Sequence, residues 1–449
     1  VALLALNALT LHAQFDTAVV LGTVRDGSGA VVPGATVTLK NQETGITSDA
    51  QSDENGNFQF VNVRIGVYQV TAECQGFSTA VIKDVGVAVN ARQRVDFALQ
   101  VGAVSDQVVV TGGAQLLETD SSERGQVIER QQIVNLPLNG RSYSSLTLLS
   151  TGVVESNQNG IGTSGREGSF NVNGLRNTAN NFQLDGIDNN LYGTSNQGFS
   201  SQVIQVSPDA VAEFKVQTNN YSAEYGRSGG AVINATYRSG TNEIRGSAWE
   251  FNRNTALNAT GFFKPTGGNK PALDRNQFGF VLGGPIVRNH AFFFADYEGF
   301  RQEQRTVTFS TIPTDPQRLG VLTVPVVNPF TGEQFAAGAQ LPLTAFARKV
   351  LSELPSANVP GVTGNNYQKS VPNRSDYNKW NVRLDHKFND RLSGFVRFGQ
   401  QKNEAFEAPN IDGPSGSNQN GFINVDSTQV VVGGTYILSP TSVLDARVG

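Results

Sequence analysis

The 449-residue chain has no methionine, one cysteine (Cys74) and three histidines. A single thiol excludes an internal disulfide framework and any cysteine-based zinc site. His12, His290 and His386 occupy no spacing that suits a metal. None opens the His-x-x-Glu pair that a zinc carboxypeptidase uses, because Phe15, Phe293 and Asn389 stand at the third position after them. Charged residues make up only 16% of the chain and the net charge is −4, which gives no electrostatic grip on nucleic acid. No run after the N-terminus approaches the ~18–20 apolar residues of a membrane helix. Val1 to Leu11 is apolar and leads into His12-Ala13, so residues 1–13 are expected to be the remnant of a secretory signal cleaved after Ala13. An exported chain without a spanning helix is either soluble outside the inner membrane or a β-barrel.

What the chain does have is glycine, 48 residues of it, in a length sufficient for two or three domains. That composition favours strands and polar loops over helices. From Leu21 to Gln100 the apolar period is 2. Ala35, Val37 and Leu39 alternate with Thr36, Thr38 and Lys40; Phe58 and Phe60 alternate with Asn57 and Gln59. Asp26-Gly27, Pro33-Gly34 and Asn55-Gly56 punctuate the run as turns, the last read as a hairpin. Roughly seven strands in this stretch make a small β-sandwich over residues 20–100. Asp53 and Asn55 start a calcium-loop pattern that goes no further, and a hairpin turn is expected there.

Beyond Gly102 the texture changes. Val108 to Val110 is valine-rich, Ser142 to Leu149 is a short helix candidate, and Ala231 to Tyr237 reads as a strand. Gly226-Arg-Ser-Gly-Gly230 fits a nucleophile elbow, but that motif needs a helix after the serine where a strand is expected, with acid and His partners downstream. Asp185 and Asp188 keep the company of Gly186, Asn189 and Asn190, which is that of a turn. No catalytic residue and no metal site is assigned, and no cofactor is expected.

Past Gly240, segments of about ten residues alternate between two faces. Trp380, Val382 and Leu384 alternate with Lys379, Asn381, Arg383 and Asp385; Phe278, Phe280 and Leu282 alternate with Gln277, Gly279 and Val281. This is the pattern of membrane strands, which need ~9–11 tilted residues each. Seven strands are expected, beginning at Glu243–Asn252 and ending with one that reaches Gly449. The links alternate short (287–290, 388–391, 439–441) and long (253–274, 305–375, 403–424), which places the short turns in the periplasm and the long loops outside. The longest loop carries eight of the 17 prolines and a helix-like piece, Ala345 to Leu354. Phe292–Phe294 and Tyr297, beside a short turn, are expected to form an aromatic girdle at the membrane interface.

Two resemblances follow from these residues. Gly22-Thr-Val-Arg-Asp-Gly27, Val32-Pro-Gly-Ala-Thr-Val37, Asp53-Glu-Asn-Gly-Asn-Phe58 and Gly66-Val-Tyr-Gln-Val70 resemble the carboxypeptidase regulatory-like domain. Phe170-Asn-Val-Asn-Gly-Leu-Arg176, Phe182-Gln-Leu-Asp-Gly-Ile-Asp188, Pro208-Asp-Ala-Val-Ala-Glu213 and Tyr225-Gly … Gly229-Gly-Ala-Val-Ile-Asn234 together resemble the plug of TonB-dependent outer-membrane receptors, in the Oar-like subgroup with an N-terminal extension. The resemblance implies an all-β-dominated chain: a β-sandwich, an α+β plug over 104–238, and the N-terminal part of a transmembrane antiparallel β-barrel over 239–449. About seven of the family's ~22 strands would lie in this part. Its plug signature falls on Gly174, Asp185, Gly186, Tyr225, Gly226, Gly229 and Gly230, with structural roles. It further implies an outer-membrane location with the sandwich in the periplasm, contact with outer-membrane lipid, TonB as periplasmic energy partner, and import of an extracellular ligand of unassigned class. Asp106, Gln107, Val108, Val109, Val110 and Thr111 match a TonB box in composition and position, and the open alternative is an ordinary plug strand. Such a box adds as an extra strand to its partner's sheet edge through main-chain hydrogen bonds. Gly102 and Gly112-Gly113 would let it swing free of its neighbours. A surface binding or adhesion protein anchored by the barrel, without energised transport, is the alternative function.

Overall fold

The computed structural model describes residues 18–102, 107–111, 122–156, 170–191, 202–226, 228–259, 270–413, 421–439 and 442–449. The expected signal remnant lies outside the described residues, as does Asp106.

The N-terminal unit is two facing sheets. Strands β1 (Ala18–Asp26), β4 (Asn57–Val63), β7 (Arg92–Arg94) and β8 (Phe97–Leu99) form one sheet around β1. Strands β2 (Thr36–Asn41), β3 (Thr47–Gln51), β5 (Gly66–Glu73) and β6 (Thr79–Val87) form the other, in the order β3-β2-β5-β6, and β9 (Gln107–Thr111) adds to its edge. The alternating residues predicted to face inward do so: Ala35, Val37, Leu39, Phe58 and Phe60 are buried in a single core, together with Val95, Phe97 and Leu99. Asn55-Gly56 makes no hairpin, because β4 pairs with β1 and β3 pairs with β2. Asp53 Oδ1 instead accepts the N–H groups of Asn55 (2.9 Å) and Asn57 (2.8 Å), which bends the chain from one sheet to the other.

The middle unit holds β10 (Arg124–Glu129), the short α1 (Arg130–Asn135), β11 (Val153–Glu155), β12 (Phe170–Val172), β13 (Asn181–Leu184), β14 (Ile187–Asp188), β15 (Val211–Asn219) and β16 (Val232–Tyr237). Its main sheet runs β10-β15-β16-β13-β14. Residues 143–149, expected to be helical, form a 3-10 turn that buries Tyr143 edge-on against Phe214.

The C-terminal unit is one antiparallel sheet whose strands pair in chain order. They are β17 (Arg245–Asn254), β18 (Leu273–Val287), β19 (Ala291–Ser310), β22 (Tyr367–Lys387), β23 (Leu392–Glu407), β24 (Gly421–Ser439) and β25 (Ser442–Val448). The β19–β22 link carries α2 (Asp315–Arg318), the small pair β20 (Val326–Val327) and β21 (Gln334–Phe335), and α3 (Ala345–Glu353), where the sequence predicts a helix. Several strands run further toward the long links than the sequence suggests. The β19–β22 ladder continues to Ser310 paired with Tyr367, since hydrogen bonding does not stop where lipid-facing alternation fades.

Burial in this sheet is inverted relative to a soluble protein. Lys379, Asn381, Arg383 and Asp385 are buried, whereas Trp380 and Leu384 are exposed. Likewise Gln277 and Val281 are buried while Phe280 and Leu282 are exposed. The polar face lies against the middle unit and the apolar face looks outward, as a sheet facing lipid requires. The girdle expected at Phe292–Phe294 is corrected by this parity. Phe292 and Phe294 point inward and are 2% and 1% exposed, with Phe294 packed edge-on against Tyr237 of the middle unit. Three consecutive strand residues cannot share a face, and the inner face holds two of them.

Candidate functional site

The seam between the middle unit and the C-terminal sheet is built around one turn. β13 and β14 pair antiparallel through Leu184 and Ile187, so Asp185 and Gly186 alone make the connection. Both have positive φ, +54° and +73°, the two-residue hairpin geometry that Asp-Gly supplies. The turn carries the Asp185 carboxylate into the sheet. Its Oδ1 accepts from Arg383 Nη1 of β22 at 2.9 Å and from the Tyr237 N–H at 2.9 Å; its Oδ2 accepts from Arg397 Nε of β23 at 2.6 Å. The Asp185 carbonyl accepts from Arg447 Nη1 of β25 at 3.2 Å. Arg397 and Asp185 are fully buried, so these charges are stable only as a matched set.

A second cluster lies on the same face. Glu298 of β19 pairs with Lys379 of β22 at 2.9 Å and receives Ser207 Oγ (3.1 Å) and Arg141 Nε (3.3 Å) from the middle unit. Arg141 also pairs with Asp209 and stacks over Trp249 and Phe251. Between the clusters the Tyr237 hydroxyl donates to Asp296. Arg383, Arg397 and Glu298, inward-facing on the sheet, thus each meet a charged group of the middle unit.

The sandwich docks at the rim that carries the short turns. Arg64 pairs with Asp385 at 2.7 Å, Asn242 N–H donates to Glu43 O at 3.1 Å, and Lys387 Nζ donates to Thr47 O at 3.4 Å. It also meets the middle unit: Val89 N–H donates to Glu213, and Lys215 Nζ donates to Asn90 O at 3.2 Å. Burial pushes the Glu213 carboxyl up to about 7, against the Val89 bond and Lys215, which favour its charged form. The three units border an open cavity of about 920 Å³ lined by Arg64, Arg130, Glu213, Arg238, Asp385 and Lys387, among others.

Of the remaining signature residues, only Gly230 makes a tight backbone approach, and a Cβ at Gly174 or Gly226 would meet nothing within 4 Å. Gly174 follows Asn173 in a turn with positive φ at both residues. Tyr225 is buried, and Gly226 O accepts from Asn181 Nδ2 at 3.1 Å. A Cβ at Gly229 would come within 3.3 Å of Leu175 Cδ1, and one at Gly230 would lie 2.9 Å from Ala179 O. Ser228, the centre of the elbow pattern, donates to Ala179 O and is followed by strand β16. Among the described residues no group of three His, Cys, Asp or Glu side chains is placed to hold a metal. Gln107–Thr111 pairs in parallel with β6, from Thr79 opposite Gln107 to Lys83 opposite Thr111. The segment therefore belongs to the sandwich's sheet and not to the sheet of the middle unit.

Sequence reasoning placed Lys379, Arg383 and Asp385 on one face but missed Arg397, Glu298 and Arg141 as their companions. The available signal was charge at inward parity in β19 and β23, since an unpaired charge there would be expensive.

Comparison with known proteins agrees with this architecture. Residues 236–449 match the outer membrane beta barrel domain family, and residues 19–100 match the carboxypeptidase regulatory-like domain family. The TonB-dependent transporter Oar of Myxococcus xanthus is 24% identical over 322 residues, covering 67% of this chain and 28% of that protein. The chain thus spans just over a quarter of the length of this curated relative. Among solved structures, the outer membrane transporter YddB from Escherichia coli aligns at 10% identity and TM-score 0.45, over 70% of this chain and 37% of its own. A mutant ferric enterobactin receptor from Pseudomonas aeruginosa, in complex with enterobactin, aligns at 14% and 0.37, over 71% and 47%. Such proteins are not enzymes, and they reside in the outer membrane of Gram-negative bacteria. The chain thus joins a carboxypeptidase regulatory-like domain to an outer membrane beta barrel domain and is similar to a TonB-dependent transporter.

Proposed function

We propose that this protein is an active importer, in which residues 104–238 are the plug of a barrel that begins near residue 239. An extracellular ligand binds the long loops and the plug's outer side. TonB, acting from the periplasm, then rearranges the plug and opens a path. In the complete receptor about seven of ~22 strands would come from this region. The observation that carries the reading is the charge-matched seam: Asp185 on the middle unit meets Arg383 and Arg397 on the sheet. A middle unit held in the barrel by a few ionic contacts suits an element that is seated at rest and displaced under load. The ligand's chemistry has no assigned residues here, and siderophores, oligosaccharides, peptides and cobalamin are all compatible with this scaffold.

The test is energy coupling in cells that make the complete receptor. A photo-cross-linking amino acid at Gln107 should yield an adduct with TonB. Absence of that adduct, with normal surface level and normal binding of cells to their substratum, would favour adhesion over transport.

A further inference from the structure

Strand β9 has no role in the seam, and its setting is unexpected for a segment thought to swing free. Before it, the chain is already laid along the start of β6. Ser78 N–H donates to Gln100 O at 2.8 Å, Phe77 and Val101 form an antiparallel bridge, and Gly102 N–H donates to Gly76 O at 3.3 Å. Residues 107–111 then run parallel to β6 in continuous register over five residues. β9 is the terminal strand of the order β3-β2-β5-β6-β9, so one of its two hydrogen-bonding edges is used by β6. Among the described residues no strand pairs with the other edge.

We propose that the sandwich is the mounting for the energy-coupling segment: β6 holds residues 107–111 as a preformed edge strand, and an extended strand of TonB's periplasmic domain adds to the outer edge. This rests on the reading of 107–111 as the TonB box. A five-residue Gln-Val-Val-Val-Thr strand is rich in β-branched residues, and its fixed extended backbone spares the partner the entropy of ordering it. An edge strand of this kind is a ready template for another strand, with main-chain bonds supplying the strength. Sandwich, coupling segment and partner then form one continuous sheet. Load from the partner enters the sandwich and reaches the plug and barrel through the Val89–Glu213, Lys215–Asn90 and Arg64–Asp385 contacts. The N-terminal domain is in this way part of the coupling path and not a passive appendage.

The experiment uses the complete receptor in detergent, with Cys74→Ser as background and the pair Lys83→Cys and Thr111→Cys, which face each other in register. Neighbouring strands lie ~4.8 Å apart, within the Cα range of a disulfide. Oxidation should close the pair, and the purified periplasmic domain of TonB should then bind the oxidised and reduced receptors with affinities within about twofold. Failure of the pair to close, or a tenfold or greater loss of binding on oxidation that reductant reverses, would overturn the mounting. A separate variant, Val109→Pro, tests the underlying reading, because proline removes a donor and resists ladder pairing. It should weaken TonB binding at least tenfold, and unchanged binding would show that 107–111 is not the coupling segment at all.

Discussion

Asp185 and Arg397, 212 residues apart in the chain, form a 2.6 Å ion pair in which both side chains are completely buried. One stands in a turn of the middle unit and the other on a strand of the outer sheet, so the pair joins two units that the chain builds separately. Arg383 shares the same carboxylate from the neighbouring strand. Two guanidinium groups on one carboxylate make the acid the critical member.

Asp185→Asn should therefore be the most damaging single change at the seam. It leaves Arg397 buried without its counter-charge, while Arg383 keeps Asp385, at a cost on the order of 3–5 kcal/mol. Limited proteolysis of the complete receptor should release or nick the middle unit at lower protease concentration. Combining Asp185→Asn with Arg397→Gln should cost less than the sum of the two single changes. Strict additivity would mean that the pair does not hold the seam.

The contact between the sandwich and the middle unit at Glu213 should depend on pH. Its carboxyl sits at about 7 when docked, above its ordinary 4.5. Docking, which adds to this burial, is therefore favoured at low pH and weakens as pH rises toward 7. Hydrogen exchange at the Val89 amide should accelerate across that window beyond the intrinsic chemical rate. Glu213→Gln should flatten the profile, and an unchanged profile in that variant would place the titrating group elsewhere.

Residues 18–100 should fold without the rest of the chain. Their core is closed by their own residues, from Val20 to Leu99, and their turns are local. Expressed alone they should show a β-type far-UV spectrum and a cooperative thermal transition. A disordered spectrum would mean that the barrel rim is needed to close the sandwich.

The long link between β19 and β22 should be outside the cell. An epitope at Gly332, an exposed turn residue with φ of +73°, should be reached by antibody on intact cells carrying the complete receptor. One at Asn289, in the short turn beside the sandwich, should require permeabilisation. Reversed accessibility would invert the topology.

Much of this protein was legible along the chain. Period-2 alternation fixed the sandwich's inward faces at Val37, Phe58 and Phe60, and it separated Lys379, Asn381 and Arg383 from Trp380 and Leu384, because side-chain direction in a strand is a local property of the backbone. The Asp-Gly turn at 185–186 was equally local, since only such residues accept two successive positive φ values cheaply. Other features needed the third dimension. Asn55-Gly56 was a turn but not a hairpin, because which strand β4 joins depends on where the core closes and not on the turn itself. Phe292 and Phe294 lie inward because parity is set by the register of the whole ladder, which a run of three aromatics does not reveal. The partner of Asp185, the docking of Arg64 on Asp385, and the seating of 107–111 on β6 join residues tens to hundreds of positions apart. Local propensity carries no information about such pairs. They are decided only when packing brings a buried charge or an open strand edge to the one place where it can be satisfied.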